Sequence, residues 1–459
     1  MRYKPISACW LMIMLLFFSG CRREKVPEPY KPKNAHDAYC HSLQQAELID
    51  TALGRDWIAA ADKAVDDPIE IPIPFREIFY VDPAEASAVA YRFEVKRGQR
   101  IEVEVDFQGS RLARLFIDLF RVEPINSRGW VHVASADKDE NRLEFEPRRD
   151  ARYVLRLQTE LLRGGRYTVT IRNAAALNFP LAEQYRGSIG SGFGAPRDGG
   201  RRSHHGVDIF APRHTPVMAP SRAYVQVVKE GGIGGRYIWL ADYTRSLYLY
   251  FAHLESQDVQ PLNWVDAGQV IGTVGNSGNA RTTPPHLHFG IYSRGEGPLD
   301  PHYFITRMES EPPEVTADVQ ILGQWMRSKP EALTLRVSPE SRAESLTSLA
   351  RHVPVKVLAA AGERYRVLLP DGVSGYIPAV GVESIREILQ QRNVTTDQTI
   401  RQNPLKDAAE IGLVDAGEGV EILGEYEGHW FVRTQEGGMG WLPIPPASLA
   451  SSSPAANFE

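Results

Sequence analysis

His286-Leu287-His288-Phe289 alternates polar and apolar residues, and Ser203-His204-His205-Gly206-Val207-Asp208-Ile209 carries a second, related pattern. Successive side chains of a strand face opposite ways, so His286 and His288 share one face while Leu287 and Phe289 take the other. The same rule puts His204 and Asp208, four residues apart, on one face. Gly206 lies between them and leaves room for an ion, and His205 faces away. Two histidines and one carboxylate suit Zn²⁺ with one position left open. Spacing alone leaves open which of His286 and His288 is the ligand. No HExxH occurs, so the helical zinc-protease arrangement is absent. Seven of the 12 histidines fall between His204 and His302, where even scatter would put about 2.6. Tyr224-Val225-Gln226-Val227-Val228 and Ser246-Leu247-Tyr248-Leu249-Tyr250-Phe251 alternate too, so these histidines sit on or beside strands of an antiparallel sheet. His205, His214 and His302 read as surface or structural residues.

Outward from this window the chain is mainly β. Between 71 and 175, short alternating runs such as Ile101-Glu102-Val103-Glu104-Val105 and Tyr167-Thr168-Val169-Thr170-Ile171 are separated by turns such as Gly164-Gly165-Arg166, which reads as a β-sandwich of jelly-roll type. Before it, 35–70 is a short helical segment, in which Leu43, Ala46, Ile49, Leu53, Ile58 and Ala61 recur at helical intervals. The C-terminal third repeats itself. At an offset of 65 residues Leu335-Arg336 matches Ile400-Arg401, Val355 falls on Val420, Leu358 on Leu423 and Tyr365 on Trp430, and Tyr376-Ile377-Pro378 meets Trp441-Leu442-Pro443. Each unit resembles a bacterial SH3-like domain, a small β-barrel, with Tyr376 and Trp441 read as core. The expected order is the histidine-bearing sheet domain at 176–310, a linker at 311–330, SH3-like repeats at 331–388 and 395–446, and a disordered tail at 447–459.

The N-terminus reads as an export signal. Arg2 and Lys4 precede the apolar run from Ile6 to Phe18, which is too short to span a bilayer. It closes on Phe18-Ser19-Gly20-Cys21, which resembles the bacterial lipobox. Residues 1–20 are then a lipoprotein signal peptide, Cys21 carries the lipid that anchors the chain to a membrane, and 21–34, with Pro27, Pro29 and Pro32, is an extended tether. The expected location is the cell envelope, facing the periplasm and on the outer membrane if the cell is Gram-negative. With Cys9 and Cys21 in this segment, Cys40 has no internal disulfide partner. The chain carries 52 basic and 57 acidic residues, a net charge of −5. That balance lacks the basic excess of a polyanion binder, so nucleic acid is not an expected partner.

His204-x-x-x-Asp208, Ala252-His253-Leu254 and His286-Leu287-His288-Phe289, with Ser191-Gly192-Phe193-Gly194 upstream and Gly275-Asn276-Ser277-Gly278-Asn279 before the last motif, resemble the lysostaphin-type (LytM-like) zinc metallopeptidases. That resemblance covers about residues 185–305. It implies that His204, Asp208 and His288 bind one Zn²⁺ per chain, and that His253 and His286 are the unligated catalytic histidines. It also implies a zinc metalloendopeptidase acting on peptidoglycan cross-links. Gly290 stands where many members have glutamate, and Pro284-Pro285 replaces a single proline. Both departures bear on substrate fit rather than on the five polar positions. Two other functions remain open on the sequence: a non-catalytic wall-binding lipoprotein that activates an amidase, and a zinc peptidase with a protein substrate.

Overall fold

The computed structural model describes residues 30–108, 114–306, 311–405 and 407–445. The signal peptide, Cys21, most of the tether and the tail from 447 lie outside the described residues. Two helices open the described chain. Ala35–Gln45 is capped by the Asn34 side chain, which accepts from the Asp37 N–H at 2.7 Å, and Ala52–Asp66 by Thr51, which accepts from Gly54 at 3.1 Å. Such caps satisfy amide donors that the first helical turn leaves unpaired. The buried stripe is Leu43, Trp57, Ala61 and Val65, while Ala46 of the expected stripe is exposed. Trp57 Nε1 donates to the Thr159 carbonyl at 2.8 Å, docking the helices on the sheet behind them. Cys40 is half-buried and free, and burial pushes its thiol up to about 11.

Two layers follow. Ile69–Glu70, Ala88–Val95, Ala151–Thr159, Leu115–Val122 and Trp130–Ser135 form one sheet in that order. Against it lie Phe75–Val81, Gly165–Ala175, Gln99–Gln108 and Arg142–Phe145, and the alternating apolar residues of both layers, among them Tyr91, Phe93, Ile101, Val103, Leu155 and Ile171, meet in one core.

The second layer does not stop there. Phe75–Val81 pairs with Pro354–Ala361 through Ile78–Ala360 and Phe79–Ala359, so it continues into the C-terminal region as one eleven-stranded sheet. A buried polar knot fixes the joint. Glu77, 0% exposed, takes both arms of Arg366 (Nε to Oε1 3.1 Å, Nη2 to Oε2 3.0 Å) and accepts from the hydroxyls of Tyr91 at 2.5 Å and Tyr376 at 2.8 Å. Burial, and then the Glu77 charge, hold both tyrosine hydroxyls well above their usual range. Tyr376 and Trp441 are both buried.

The two C-terminal units share strand pairing at the 65-residue offset: Arg336 pairs with Tyr376 and Arg401 with Trp441, and Val357–Val367 and Ile422–Val432 are each followed by a bulge. Each unit starts earlier than its sequence match. Trp325–Ser328 lies inside the segment read as a linker and pairs with Pro354–Ala361, and Gln390–Asn393 takes the corresponding place against Gly419–Tyr426. The first unit is part of the long sheet and the second is an open six-stranded order, rather than two free-standing barrels. The units pack on each other through Trp325, Phe431 and Trp441, and Arg327 Nη1 donates to the Leu423 carbonyl at 3.1 Å.

The histidine-rich region is a separate antiparallel sheet in the order Ile189–Ser191, Val207–Phe210, His286–Ser293, Leu247–Gln257, Gly235–Asp242, Ala223–Gly231, Trp264–Val265. One side, with Ile209, Leu240, Leu249, Phe251, Leu287 and Phe289, is core. Gly98, at φ +94°, leaves space against the Phe304 ring where the sandwich meets this domain, and Arg245 ties the two together by donating to Glu146 at 2.7 Å and to Asp242 at 3.0 Å.

Candidate metal centre

Val207–Phe210 pairs with His286–Ser293 so that Asp208 lies opposite His288, and Leu247–Gln257 sets Ala252 against His288 on its other side. His204 is not on a strand, as the alternation rule had it. It sits in the loop after the short strand Arg202–Ser203, and that loop brings it to the same point. His204 Nε2 lies 3.0 Å from Asp208 Oδ1 and 2.9 Å from His288 Nδ1, and His288 Nδ1 is 2.9 Å from Asp208 Oδ1. The space at Gly206 serves contact within the protein: a Cβ there would stand 2.4 Å from the Phe289 carbonyl and 2.9 Å from His288 Cε1.

The donor set fits a divalent cation. His204 Nδ1 donates to the Gly192 carbonyl at 2.8 Å, since a carbonyl only accepts, and Nε2 is the ring nitrogen turned to the cluster. Two imidazole nitrogens and a carboxylate oxygen within about 3 Å of one another suit a three-residue zinc site, and the carbonyl behind His204 orients its ring. Burial alone would raise the Asp208 carboxyl; the His204 and His288 hydrogen bonds outweigh it and hold the group well below the usual carboxylate range.

Two further imidazoles face the cluster. His253 lies 5.9 Å from the His288 ring and 5.0 Å from the His286 ring, centroid to centroid. Its backbone is left-handed, φ +62°, at a bulge where Ile238–Phe251 gives way to Arg236–Leu254. That region costs a non-glycine residue about 1–3 kcal/mol. The His253 N–H donates to the Gly234 carbonyl at 2.9 Å and Nδ1 to the Ser277 carbonyl at 3.0 Å, which holds the ring in place. Burial and the adjacent His286 lower its pKa to about 4, so it is neutral at pH 7. His286 Nδ1 donates to the Pro284 carbonyl at 2.9 Å. In both rings a backbone carbonyl engages Nδ1, so Nε2 is the nitrogen left to face the groove. All five polar positions line one open groove of about 810 Å³. His205, His214 and His302 are exposed.

The sequence reading did not include Arg197. On the hairpin Pro196–Arg197/Arg202–Ser203, its Nη2 donates to Asp208 Oδ2 at 2.6 Å and to Ser191 Oγ at 2.8 Å. It thus occupies the outer oxygen of Asp208 and leaves Oδ1 inward. The upstream Ser191-Gly192-Phe193-Gly194 run was the available signal, since it supplies both Ser191 and the Gly192 carbonyl. Gly290, whose Cβ would stand 2.9 Å from the His205 carbonyl and 3.1 Å from Tyr292 Cε2, is close-packed where a glutamate would not fit undisturbed.

A His-Asp-His cluster that could hold a metal ion, with two additional imidazoles beside it on an antiparallel sheet, has the donor set of a hydrolytic zinc site. Residues 202–301 match Peptidase family M23, and this segment is an M23-family zinc metallopeptidase domain. Among relatives, the L-Ala–D-Glu endopeptidase of Bacillus subtilis (strain 168) is 38% identical over 142 residues, which are 28% of this chain and 43% of that protein. The peptidoglycan DD-endopeptidase ShyC of Vibrio cholerae serotype O1 is 31% identical over 100 residues, 22% of each chain. The solved catalytic domain of lysostaphin from Staphylococcus simulans is 30% identical, with a TM-score of 0.25, over 27% of this chain and 97% of that one. The chain spans less than half the length of the curated relatives named here.

Proposed function

We propose that this protein is a zinc-dependent endopeptidase that hydrolyses peptide bonds in peptidoglycan cross-links. The observation that carries the reading is the presence, in one groove, of a complete three-residue ligand cluster and two unligated imidazoles whose Nε2 atoms are free. A relative named as a peptidoglycan DD-endopeptidase supports the substrate class. His204, Asp208 and His288 hold the metal. When bound, zinc polarises water and the scissile carbonyl, bringing the pKa of the water towards ~7. His253 or His286 takes the proton of the attacking water at Nε2 and, protonated there by that step, passes it to the leaving amine. The carbonyls of Ser277 and Pro284 keep both rings in the required tautomer throughout.

The same reading assigns Cys21 as the lipidated residue of an envelope protein and the two repeated C-terminal units as SH3-like modules that add contacts to the wall. The equivalent strand order of the two units supports the latter. Among the described residues no helix is long and apolar enough to cross a membrane.

The test is digestion of purified cross-linked peptidoglycan, with the products separated and identified by mass, against a chelator control and a His288→Ala variant. Loss of cross-linked species by the wild type alone is expected, and the new ends name the bond. A chain that binds no zinc and cuts nothing would overturn the enzyme reading in favour of an amidase-activating regulator.

A further inference from the structure

The outer side of the catalytic sheet, opposite its core, is aromatic where a solvated sheet face is ordinarily polar. Cross-strand partners share a face. His288 pairs with Ala252, Tyr250 with Trp239, Tyr248 with Tyr292 and with Ala241, and Ala241 with Tyr224, which pairs in turn with Trp264. The outer face therefore carries an aromatic band leading away from the metal centre. Tyr250 lies 5.8 Å from the His288 ring and Trp239 4.6 Å from Tyr250, with Tyr292 5.0 Å from Trp239, centroid to centroid. Gly290, opposite Tyr250 on the next strand, adds no side chain between Tyr250 and Tyr292.

At the far end Tyr224, Tyr243 and Trp264 meet at 5.6–6.1 Å, with Tyr243 56% and Trp264 50% exposed. The Arg222 guanidinium lies 4.7 Å over the Trp264 ring and 3.7 Å from Asp266. Four strand spacings separate His288 from Trp264, about 19 Å across the sheet.

We propose that this band is a track for the glycan strand of the wall polymer, an inference that rests on the peptidase reading of the adjoining groove. Pyranose rings offer apolar C–H faces that stack on aromatic rings and a rim of hydroxyls for polar tips, which tyrosine hydroxyls and the Arg222–Asp266 pair supply. An extended peptide would instead require backbone partners, and a sheet face has none to give because its ladder is already paired. The band is continuous with the catalytic groove, since Tyr250 and Tyr292 line it beside His253 and His286. Stem peptides hang from glycan, so a peptide at the metal brings its sugars alongside.

The test titrates the full-length protein with β-1,4-linked N-acetylglucosamine oligomers of increasing length by calorimetry. It also compares kcat/KM for a cross-linked peptide attached to glycan and for the same peptide freed from it. Affinity is expected to rise with oligomer length, and a Trp264→Ala/Tyr243→Ala variant with an unchanged melting temperature to bind about tenfold more weakly. The ratio of the two kcat/KM values is expected to fall to a similar extent. Undiminished oligomer binding in that variant, or equal loss on both substrates, overturns the track. A wild-type protein that binds oligomers through this face but cuts neither substrate would retain the binding site and sink the peptidase reading instead.

Discussion

Glu77→Gln tests whether the polar knot joins the sandwich to the first C-terminal unit. The substitution keeps size and shape and removes the charge that faces Arg366, a side chain only 8% exposed. Burial works against the guanidinium, and the Glu77 charge more than offsets it, so Arg366 stays protonated and cannot escape by losing its proton. Removing one member of a buried pair typically costs about 3–5 kcal/mol, because the other charge is left uncompensated. Here the two tyrosine hydroxyls at 2.5 and 2.8 Å also lose an ionic acceptor, which places the expectation at the upper end of that range. Urea unfolding followed by far-UV circular dichroism measures the loss, and limited proteolysis shows whether residues after 311 become separable. A second variant, Glu77→Gln/Arg366→Met, removes both charges and should recover most of the stability, since replacing a whole buried pair is often near neutral. A cost under about 1 kcal/mol for the single variant, or a double variant as unstable as the single, would refute the reasoning.

Gly206→Ala should lower zinc affinity by about 10–100-fold in a chelator competition, because the new methyl displaces the His288 ring and the Phe289 carbonyl; wild-type affinity would show that the close approach is immaterial. His253→Ala should retain one zinc per chain while kcat falls by about 10²–10⁴, and loss of metal in this variant would reassign the residue as a ligand. Acid should loosen the N-terminal helices. His36, stacked 4.9 Å from Trp57, has its pKa lowered to about 4, first by burial and then by Arg156. Its neutral form is the one that packs, so its stabilising contribution is complete above about pH 6.5 and is lost as pH falls towards 4, at most about 3 kcal/mol. Trp57 fluorescence reports it, and a His36→Gln variant with the same acid profile would dismiss His36 as the cause.

The five polar positions of the metal centre were legible because each stands in a short pattern whose spacing is itself the signal. Arg197 was not, because its hold on Asp208 depends on a hairpin folding back over the groove, and no periodicity announces that. His204 reached its place from a loop rather than along a strand, so alternation gave the right neighbour for the wrong reason. Ala46 of the expected stripe lies at the C-cap, past the end of the first helix, and on the second helix Trp57 and Val65 are buried where Ile58 is only half-buried. Trp325–Ser328 was read as linker because it shares only Arg327 with its counterpart Gln390–Asn393. The Glu77–Arg366 contact spans 289 residues, and neither residue carries a local signature. The aromatic alternation of Ser246–Phe251 was visible, but which rings align across strands depends on register that one sequence does not disclose.

The continuous eleven-stranded sheet has a mechanical consequence. Modules on a flexible linker meet a polymer at an effective concentration set by chain statistics, and the enzyme can then reach any bond within a sphere. Here the Ile78–Ala360 and Phe79–Ala359 pairs fix the first C-terminal unit to the sandwich, Arg245 fixes the sandwich to the catalytic sheet, and Trp325 fixes the second unit to the first. Whatever the C-terminal units grip is therefore held at one set distance from the metal centre. On the proposed function such a body would act as a gauge, favouring polymer whose bonds recur at the matching interval over polymer whose spacing differs.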